Sequence, residues 1–582
     1  MCKCNEKKIH CGCNKKKETR GVDMRLLQEW DNFIGQQDPA QFGNLNGIER
    51  GRGSIPPDNS LAVSSSKIIA MTNSVISLSE KDTLQEYFRM SLTEFYGFTS
   101  TDPSPFDPWV MYEEFSKRFF VLSIVSNPSS LMRRFVLAVS KDSSPKSIND
   151  FYQYDWVSPR MAIFSLDYPK MAIDKDAVYI TYQELDMDTF NIDFGLVVFE
   201  KQSLINGTSP YNMTPIFLDY ILGGNDNVFT ENFIFPSQPH KSSCGVEKVL
   251  LIANCFEEKG VPLVTGDKLR IYYVKNVLTN PTLESFDVNV PLYSSDYLNA
   301  TIPQPPPTSN PDNQSIIGVE TIANINTGLI RNKSLWTMHC IIIEDERKLA
   351  RWYEIDISNY LSNVATLKQS GTIDPGNRVQ TGSMPSIAVD KCGNAAFNLN
   401  LIGETQYPAI GYTTRLKNDP PGTVRMPIQR AADPNLYYQI DVGSGRNRYG
   451  DYTRIVVDPS DQKTFHLFGQ RPYPADPSFE QPNNGYKTFN FGTQWTTYMG
   501  VFQAKKCGKG INAPQKTVPT AAPVSISTRS VVKSADQNEK LKEFRLKRKE
   551  KYVKKINKIQ DETLKKKLLD KLDKIYKDKF NL

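Results

Sequence analysis

The chain has 582 residues, far more than one small hydrophobic core can hold, so we expect several units or one large closed array of repeats. Hydrophobic residues make up 39% and aromatic residues 11% of the sequence, and its 37 prolines and 33 glycines favour strands and turns over helices. No uninterrupted apolar run approaches the roughly 18 residues of a membrane-spanning helix, so the sequence predicts no membrane span.

The positive charge is concentrated at the C-terminal end of the chain. The formal net charge is +6, and residues 533–582 alone carry 18 basic and 9 acidic side chains. The rest of the chain therefore has a net charge of about −3. A body so close to neutral argues against a groove built to bind nucleic acid.

Residues 1–20 are rich in Lys and Cys, and we expect them to form a disordered tail. They lack the apolar stretch of a secretory signal, so we expect a protein that is made in the cytoplasm. Four thiolates could surround one Zn²⁺, the single cofactor that the sequence suggests: Cys2, Cys4, Cys11 and Cys13. The one-residue gaps are tighter than in common zinc knuckles, so disulfides, cross-links between subunits and a metal-free tail stay open as alternatives.

Residues 21–60 are interpreted as an irregular lead-in that contains several glycines and the pair Pro56-Pro57. Within it, apolar residues occur at helical spacing: Met24, Leu27, Trp30 and Ile34. This spacing predicts a short helix over residues 22–34.

Residues 61–507 are expected to form strands throughout. One theme recurs at residues 106–123, 166–182 and 383–398: a proline, an apolar strand, a turn closed by a polar residue and a second apolar strand. Hairpins that repeat at intervals of tens of residues indicate an all-β fold of the β-propeller type, here with about six or seven blades of three or four strands. The apolar runs are nearly continuous, as in sheets covered on both faces.

Two details of this strand pattern are separate predictions. Pro215–Tyr220 is grouped in one sheet with Val249–Cys255 and Lys268–Val274. Residues 279–315 are rich in Pro and Asn, and we expect them to form a long surface loop between two blades.

Beyond residue 507 the composition changes twice. Residues 508–534 are rich in Pro, Thr, Ala and Ser and predict a linker, whereas residues 535–582 predict a basic amphipathic α-helix with an interrupted apolar stripe. A helix with this much charge is marginal alone, so we expect it to bind a protein partner or a second copy, in the manner of a coiled coil. Contact with a polyanion, or a solvated helix without a partner, are the alternatives.

Several motifs of the body are shared with a known family. They are Asp107-Pro108-Trp109-Val110-Met111-Tyr112, Asp167-Tyr168-Pro169, Arg351-Trp352-Tyr353-Glu354-Ile355-Asp356, Pro385-Ser386-Ile387-Ala388-Val389-Asp390 and Tyr449-Gly450-Asp451-Tyr452. Over about residues 100–505 the chain resembles the largely uncharacterised β-propeller-like proteins of bacterial exoproteins and giant viruses. Its Lys/Asn/Ile-rich composition and basic tail resemble a giant-virus, mimivirus-like member. The resemblance implies a propeller fold and a place in the virion, and it supplies no catalytic residues to carry over.

The residues around Tyr449 are the candidates for binding a ligand. Five side chains there could stack on sugar or phosphate groups and hydrogen-bond to them: Arg446, Arg448, Tyr449, Asp451 and Arg454. The alternative is that Arg–Asp pairs and Tyr hydroxyls fix the packing of neighbouring blades. His339 lies inside an apolar strand and is expected in the core, as are Cys255 and Cys340.

No sequence pattern identifies an enzyme. The HExxH, GxSxG, P-loop and repeated Asp-box motifs are all missing, and aspartates before proline, such as Asp107 and Asp458, fit turn caps. We therefore favour a non-catalytic structural or interaction protein, a propeller platform tethered through its termini. The alternative is a propeller that binds or hydrolyses glycans, in the manner of a sialidase, through acidic residues in its central funnel.

Overall fold

The computed structural model describes most of the body and a short stretch before it. The described residues are 24–31, 56–73, 75–99, 105–126, 133–156, 164–186, 192–208, 216–218, 229–231, 233–241, 245–257, 263–296, 301–306, 316–318, 324–343, 345–426, 428–431, 438, 447–474 and 493–504. The cysteine-rich tail, the linker and the basic helix expected from the sequence all lie outside them.

Strands dominate the described residues, and the protein is all-β, as predicted. The first strands are β1 Met24–Asp31, β2 Ser60–Val63, β3 Lys67–Met71, β4 Val75–Glu80, β5 Glu86–Ser91, β6 Pro105–Glu113, β7 Arg118–Ser126, β8 Arg133–Ser140, β9 Phe151–Trp156, β10 Phe164–Ile173, β11 Ala177–Asp186, β12 Ile192–Glu200 and β13 Ile216–Leu218. The middle strands are β14 Phe229–Glu231, β15 Phe235–Pro239, β16 Leu250–Glu257, β17 Leu263–Lys275, β18 Thr282–Asp296, β19 Thr301–Pro303, β20 Ile316–Gly318, β21 Ile325–Arg331, β22 Ser334–Ile342, β23 Lys348–Asn359 and β24 Val364–Ile373. The last strands are β25 Val379–Gln380, β26 Ser386–Val389, β27 Ala395–Gly403, β28 Gln406–Arg415, β29 Gln429–Ala431, β30 Asn447–Arg448, β31 Arg454–Val457, β32 Thr464–Pro474 and β33 Thr493–Ala504. The short helices are α1 Leu92–Phe95 and α2 Lys201–Ile205, with 3-10 turns at Ile148–Asp150 and Tyr360–Ser362.

Most strands belong to antiparallel meanders of neighbours in sequence. Four-stranded sheets contain β2–β5, β6–β9 and β10–β13. A short parallel pairing of β15 with β21 joins the meanders β15–β18 and β21–β24 into one nine-stranded sheet, which also contains β14. Strands β25–β29 form the next sheet, and β31–β33 with β1 form the last. Strands β19, β20 and β30 form a small separate sheet.

The inner strands of the meanders form a closed ring. In chain order they are β2, β6, β10, β15, β21, β26 and β31; each contacts the next, and β31 contacts β2. Sheets arranged in this way around an axis make a β-propeller, which confirms the predicted architecture. Every residue of β2 and of β26 is buried, so these strands are covered on both faces, as their continuous apolar runs predicted.

Strand β1 shows that the predicted helix over residues 22–34 is wrong. It runs antiparallel to β33, with Met24 opposite Ala504 and Asp31 opposite Tyr498, and becomes the outermost strand of the last sheet. Helical spacing over about ten residues is a weak signal because an isolated helix of that length is marginal. The edge of β33, in contrast, offers a row of unpaired backbone groups. The propeller therefore begins inside the predicted lead-in.

The predicted loop at residues 279–315 is also wrong, because it contains the longest strand of the described residues. β18 covers Thr282–Asp296 and pairs with β17 along its length. Its apolar residues alternate with polar ones, and Val288 and Val290 are buried, so one face is covered and the other is exposed. A search for continuous apolar runs misses such an outer strand. β13 likewise pairs with β12, so the described part of the predicted strand, Ile216–Leu218, belongs to the sheet before the predicted one.

Several inner strands are followed by an acidic residue that closes the turn to the next strand. Asp174 accepts hydrogen bonds from the N–H groups two and three residues later, at 2.8 and 2.9 Å. Asp390 accepts from the N–H groups two and four residues later, both at 2.8 Å, and Glu113 from those two and three residues later, at 2.7 and 2.8 Å. The acidic residue of the repeated theme therefore caps its turn. Of the aspartates before proline that were predicted to cap turns, Asp458 does so, whereas the prediction is wrong for Asp107, which lies within β6.

Basic side chains from other sheets reach these acidic turn caps. Lys201 Nζ, at the end of the β10–β13 sheet, lies 3.3 Å from Glu113 Oε2 of the β6–β9 sheet. Lys81 Nζ, after β4, lies 2.9 Å from Asp458 Oδ2, which follows β31. All four side chains are almost fully buried, so removing one partner would leave a charge without compensation. These pairs fix neighbouring sheets against each other.

Candidate functional site on the propeller axis

The inner strands surround a cavity of about 70 Å³ on the propeller axis. Six of the inner strands line it, mainly with apolar residues, and its polar side chains are Tyr112, Glu114, Gln238, His240, Thr327 and Arg454. One water molecule takes about 30 Å³ of liquid, and an engineered cavity of about 150 Å³ holds a benzene molecule. The axial cavity therefore has room for a small ion with water, but not for a sugar ring.

A group of hydrogen-bonded side chains crosses the axis where the inner strands end. Glu114 Oε1 lies 2.7 Å from His240 Nδ1, and Glu114 Oε2 accepts a hydrogen bond from Gln462 Nε2 at 3.1 Å. Arg331 Nη1 donates to Gln462 Oε1 at 2.7 Å, and Arg331 Nε donates to the backbone carbonyl of Val389 at 3.1 Å. Each of these five residues belongs to a different meander, so the group ties the sheets together across the axis.

The two titratable members of this group have shifted pKa values. Burial would raise the pKa of Glu114, but the hydrogen bond from His240 and the charges of His240 and Arg331 hold it below its usual value. Burial, followed by the charge of Arg331, lowers the pKa of His240 although Glu114 opposes the shift. The favoured state is a carboxylate that accepts the Nδ1–H of a neutral imidazole, which leaves the Nε2 of His240 as an acceptor.

Arg454 begins β31 and is one of the residues that line the axial cavity. Its Cζ lies 4.3 Å from the centre of the Trp109 ring, so the indole covers one face of the guanidinium. Among the described residues no oxygen accepts a hydrogen bond from this guanidinium, whose Nε is buried, and no carboxylate forms an ion pair with it. Burial lowers the pKa of Arg454 to about 10, with no neighbouring charge to oppose the shift.

A second cation, Lys170, lies in an aromatic cage near the same tryptophan. Its Nζ is 3.4 Å from the ring centre of Tyr168 and 3.6 Å from that of Tyr452. The ring centres of Trp109 and Phe233 are 5.2 and 5.7 Å away. Nζ also donates one hydrogen bond, to the backbone carbonyl of the preceding residue at 3.2 Å. The ring faces therefore take the place of water around a buried ammonium group.

Carboxylates surround this cage without forming an ion pair with the lysine among the described residues. Burial lowers the pKa of Lys170 to about 7, although the charges of Asp107, Asp451 and Asp58 oppose the shift. The loss of hydration therefore outweighs the attraction of the carboxylates. At neutral pH this amine is close to the midpoint of its titration.

The same aspartates link sheets through backbone groups, in a chain of contacts that we call the axial belt. Asp58 Oδ1 accepts from the N–H of Asp451 at 2.7 Å, which joins the last sheet to the first. Asn73 Oδ1 accepts from the N–H of Asp107 at 2.6 Å, and Asp107 Oδ2 accepts from the N–H of Tyr168 at 3.2 Å. Asp58, Asp107 and Tyr168 have φ angles of 46, 51 and 54°, which residues other than glycine rarely adopt. The belt thus holds these residues in a strained conformation.

Three of the five predicted ligand-binding residues have described side chains, and they lie in different surroundings. Tyr449 is fully buried and donates its hydroxyl hydrogen to the backbone carbonyl of Gln470 at 3.0 Å. Asp451 belongs to the axial belt, and Arg454 faces the cavity. Tyr449 thus packs inside the wall, and Arg454 alone of the three lines the axial cavity.

The other predicted site residues have no described side chains. Arg448 lies in β30, where its backbone pairs with Gly318 in a parallel arrangement. Five residues lie outside the described ranges: Arg446, Cys2, Cys4, Cys11 and Cys13. Within those ranges, no three His, Cys, Asp or Glu side chains come close enough to hold a metal ion. No helix there is long and apolar enough to cross a membrane.

His339 and the two strand cysteines lie in the core, as predicted. His339 is fully buried, its Nε2 lies 2.9 Å from the Tyr353 hydroxyl, and its ring stacks on that of Tyr353 at 5.5 Å. Burial lowers its pKa to about 3, so the imidazole is neutral. Cys255 and Cys340 are buried, and neither forms a disulfide.

Two central features of the axis, the cage of Lys170 and the contact of Glu114 with His240, were not predicted from the sequence. Lys170 interrupts the apolar run of β10, and a lysine inside a buried strand is rare enough to serve as a signal. The sequence does not indicate a contact between Glu114 and His240, because 126 residues separate them and neither belongs to a recognisable motif. The fold alone brings them together.

The comparisons with known proteins bear only on the fold. No protein-family model matches the chain, and the sequence comparison with curated proteins gives no match. Among solved structures, the chain is similar to the WD40 domain of SCAP from fission yeast, with 9% identity over 77% of this chain and 95% of that chain, at a TM-score of 0.30. It is also similar to the sialidase of Trypanosoma rangeli, with 11% identity over 77% and 58% of the two chains and a TM-score of 0.35. A third is the α-L-arabinofuranosidase Arb93A from Fusarium graminearum, with 8% identity over 79% and 96% and a TM-score of 0.34. We draw no conclusion about ligand or activity from these low similarities.

Proposed function

We propose that the protein is a non-catalytic platform, a propeller of seven blades that presents surfaces to protein partners. The observation that supports this proposal is that the charged side chains on the axis are held in hydrogen bonds within the protein. Glu114, His240 and Arg331 are bound to each other or to Gln462, and the aspartates of the axial belt accept backbone N–H groups of neighbouring sheets. Groups used in this way hold blades together and are not free to move protons to and from a substrate.

The axial carboxylates also differ from those of a glycoside hydrolase. Such enzymes flank the scissile bond with two carboxyl groups about 5 to 10 Å apart, with space for a sugar between them. Here the cavity has about 70 Å³, and Glu114 is the carboxylate that lines it. The size of the cavity supports a structural role for the axis over a glycan-processing one.

Exposed apolar residues on two neighbouring hairpins support a role in binding proteins. Leu278 lies in the turn between β17 and β18 and is 44% exposed, and Leu361 lies in the turn between β23 and β24 and is 66% exposed. The hairpins touch, since the Tyr273 hydroxyl lies 3.0 Å from Asn363 Oδ1. Exposed apolar side chains on neighbouring hairpins support a role of this part of the surface in binding proteins.

The termini complete the proposal. The basic segment 535–582, with its apolar stripe, is proposed to bind a second copy, a protein partner or a polyanion, and the cysteines of residues 1–20 to hold Zn²⁺ or form cross-links. The giant-virus resemblance makes a virion particle the assembly that we propose for this tethering.

The test is a comparison of the full chain with a chain trimmed to residues 21–534. This design keeps β1, which the last sheet needs. Size-exclusion chromatography with light scattering should show that the full chain associates and the trimmed chain does not, while both have the same melting temperature. Equal association of the two chains would refute tethering through the termini.

A second assay addresses the glycan alternative. The full chain is screened on a glycan array and against a panel of fluorogenic glycosides. We expect neither binding nor turnover, because the axial cavity is too small for a sugar ring. Saturable glycan binding, or turnover that survives purification to homogeneity, would replace the platform hypothesis with the glycan one.

A further inference from the structure

We propose that the axial cavity binds a small planar monovalent oxyanion, of the carboxylate, bicarbonate or nitrate class, through Arg454. The starting observation is a guanidinium with unmet hydrogen-bonding capacity. Arg454 has five N–H donors, and its buried Nε has no acceptor among the described residues. The residue lines the cavity and is half-buried. Its guanidinium is therefore partly desolvated without a neighbouring carboxylate, and a ligand with a negative charge would stabilise it.

Other cationic side chains of this protein, which are buried, have oxygen acceptors, in contrast to Arg454. Lys201 Nζ contacts Glu113, and Arg331 donates to Gln462 and to a backbone carbonyl. Arg415 donates to two backbone carbonyls, at 2.9 and 3.0 Å. Each of these cations thus has at least one oxygen acceptor, although Arg331 Nη2 and Arg415 Nε lack one, whereas Arg454 forms no such hydrogen bond among the described residues and lines a cavity.

The charges around the cavity favour an anion over a cation. Glu114, the carboxylate in the lining, is already bound by His240 and Gln462 and has Arg331 behind it. The positive charge of Arg331 compensates the negative charge of Glu114. The charge that remains facing the cavity is the positive charge of Arg454.

The shape of the site selects a planar ion. The Trp109 ring covers one face of the guanidinium at 4.3 Å, so a ligand must approach its edge, in the plane of the N–H groups. A planar oxyanion can accept two parallel N–H bonds there, which a spherical halide cannot do. The cavity volume of about 70 Å³ fits an ion of three or four heavy atoms with a water molecule.

The experiment uses the full chain with sodium nitrate, formate and chloride at constant ionic strength. Isothermal titration calorimetry and thermal unfolding are measured for the wild type, Arg454→Met and Arg454→Lys. The matched control is Arg270→Met, which removes an arginine already paired with Asp287 at the surface. Arg454→Lys keeps the positive charge, so it can replace Arg454→Met in the binding test if Arg454→Met does not fold.

We expect nitrate and formate to bind the wild type and the control with one-to-one stoichiometry and to raise their melting temperatures saturably. Arg454→Met should bind at least about tenfold more weakly, and Arg454→Lys more weakly than the wild type, since it loses the bidentate edge. Saturable binding of chloride as tight as that of nitrate would show that the site does not select planar oxyanions. A wild type that shows no saturable binding, or variants that respond like it, would overturn the site and leave water as the occupant.

Discussion

Lys81 Nζ lies 2.9 Å from Asp458 Oδ2, although 377 residues separate them in the chain. The contact joins the first sheet of the propeller to the last. The same carboxylate accepts from the N–H of Ser460 at 2.8 Å and lies 3.3 Å from His466 Nε2. Together with the pairing of β1 and β33, this buried pair closes the ring of sheets.

Replacing the lysine of this pair should weaken ring closure. Lys81→Met leaves Asp458 buried with fewer donors, so we expect the free energy of unfolding to fall by about 1–3 kcal/mol. Urea unfolding followed by circular dichroism measures this. The control is Arg378→Met, which removes an exposed pair with Glu404 and should cost no more than about 0.5 kcal/mol. Equal losses in both variants would contradict a special role for Lys81.

Asp458 should also make the protein sensitive to acid. Burial would raise its pKa, but hydrogen bonds from His466 and Lys81 hold the pKa well below 3.8. The folded-state pKa is therefore below the unfolded one, so the stabilisation is present above about pH 4 and is lost as the pH falls below it. Asp458→Asn should unfold at a lower urea concentration at pH 6, and its difference from the wild type should begin to shrink below about pH 4 and continue to shrink as the pH falls towards the folded-state pKa. A constant difference between the two proteins across this range would be inconsistent with the shift.

Lys170 should also make the stability rise with pH, but in the alkaline range. Its folded-state pKa of about 7 lies below its ordinary value of 10.5, so between these values the folded protein binds fewer protons than the unfolded chain. The free energy of unfolding should therefore rise with pH across this window by up to a few kcal/mol. In Lys170→Met this rise should be missing. Parallel pH curves for the wild type and Lys170→Met would show that Lys170 does not titrate in this range.

Truncation tests the role of β1. A chain that starts at residue 21 keeps β1, whereas a chain that starts at residue 32 exposes the edge of β33. We expect the longer chain to melt like the full protein, and the shorter one to melt at a clearly lower temperature and to aggregate through the free edge. Differential scanning calorimetry and light scattering make the comparison. If both truncations melt alike, the pairing of β1 with β33 does not close the ring.

Asn73 tests the axial belt. Asn73→Ala removes the side-chain acceptor of the Asp107 N–H and a donor to the carbonyl of Pro56, which lie in different sheets or loops. Leaving these buried groups without partners should cost about 1–3 kcal/mol in urea unfolding. Asn206→Ala, which changes an exposed asparagine, is the matched control and should stay within about 0.5 kcal/mol of the wild type. A loss in Asn73→Ala no larger than in this control would argue against the belt.

The sequence by itself determined the repeated hairpins of the propeller. Strands such as β6 with β7 and β26 with β27 are continuous apolar runs separated by a capped turn, and both features are local. Continuous burial of these strands and the turn-capping role of Asp390 follow from neighbours in sequence. The core position of His339 was predictable for the same reason, since apolar residues surround it in its own strand.

The tertiary structure alone decided how the ring closes and what lies on its axis. β1 is a strand because β33 offers it an edge, and β18 is a strand because β17 pairs with it. The residues of β1 and β18 themselves do not reveal these pairing partners. The cage of Lys170, the contact of Glu114 with His240 and the open guanidinium of Arg454 join residues from different sheets. Backbone pairing and packing between distant segments fix these contacts, and local sequence patterns carry no information about such distances.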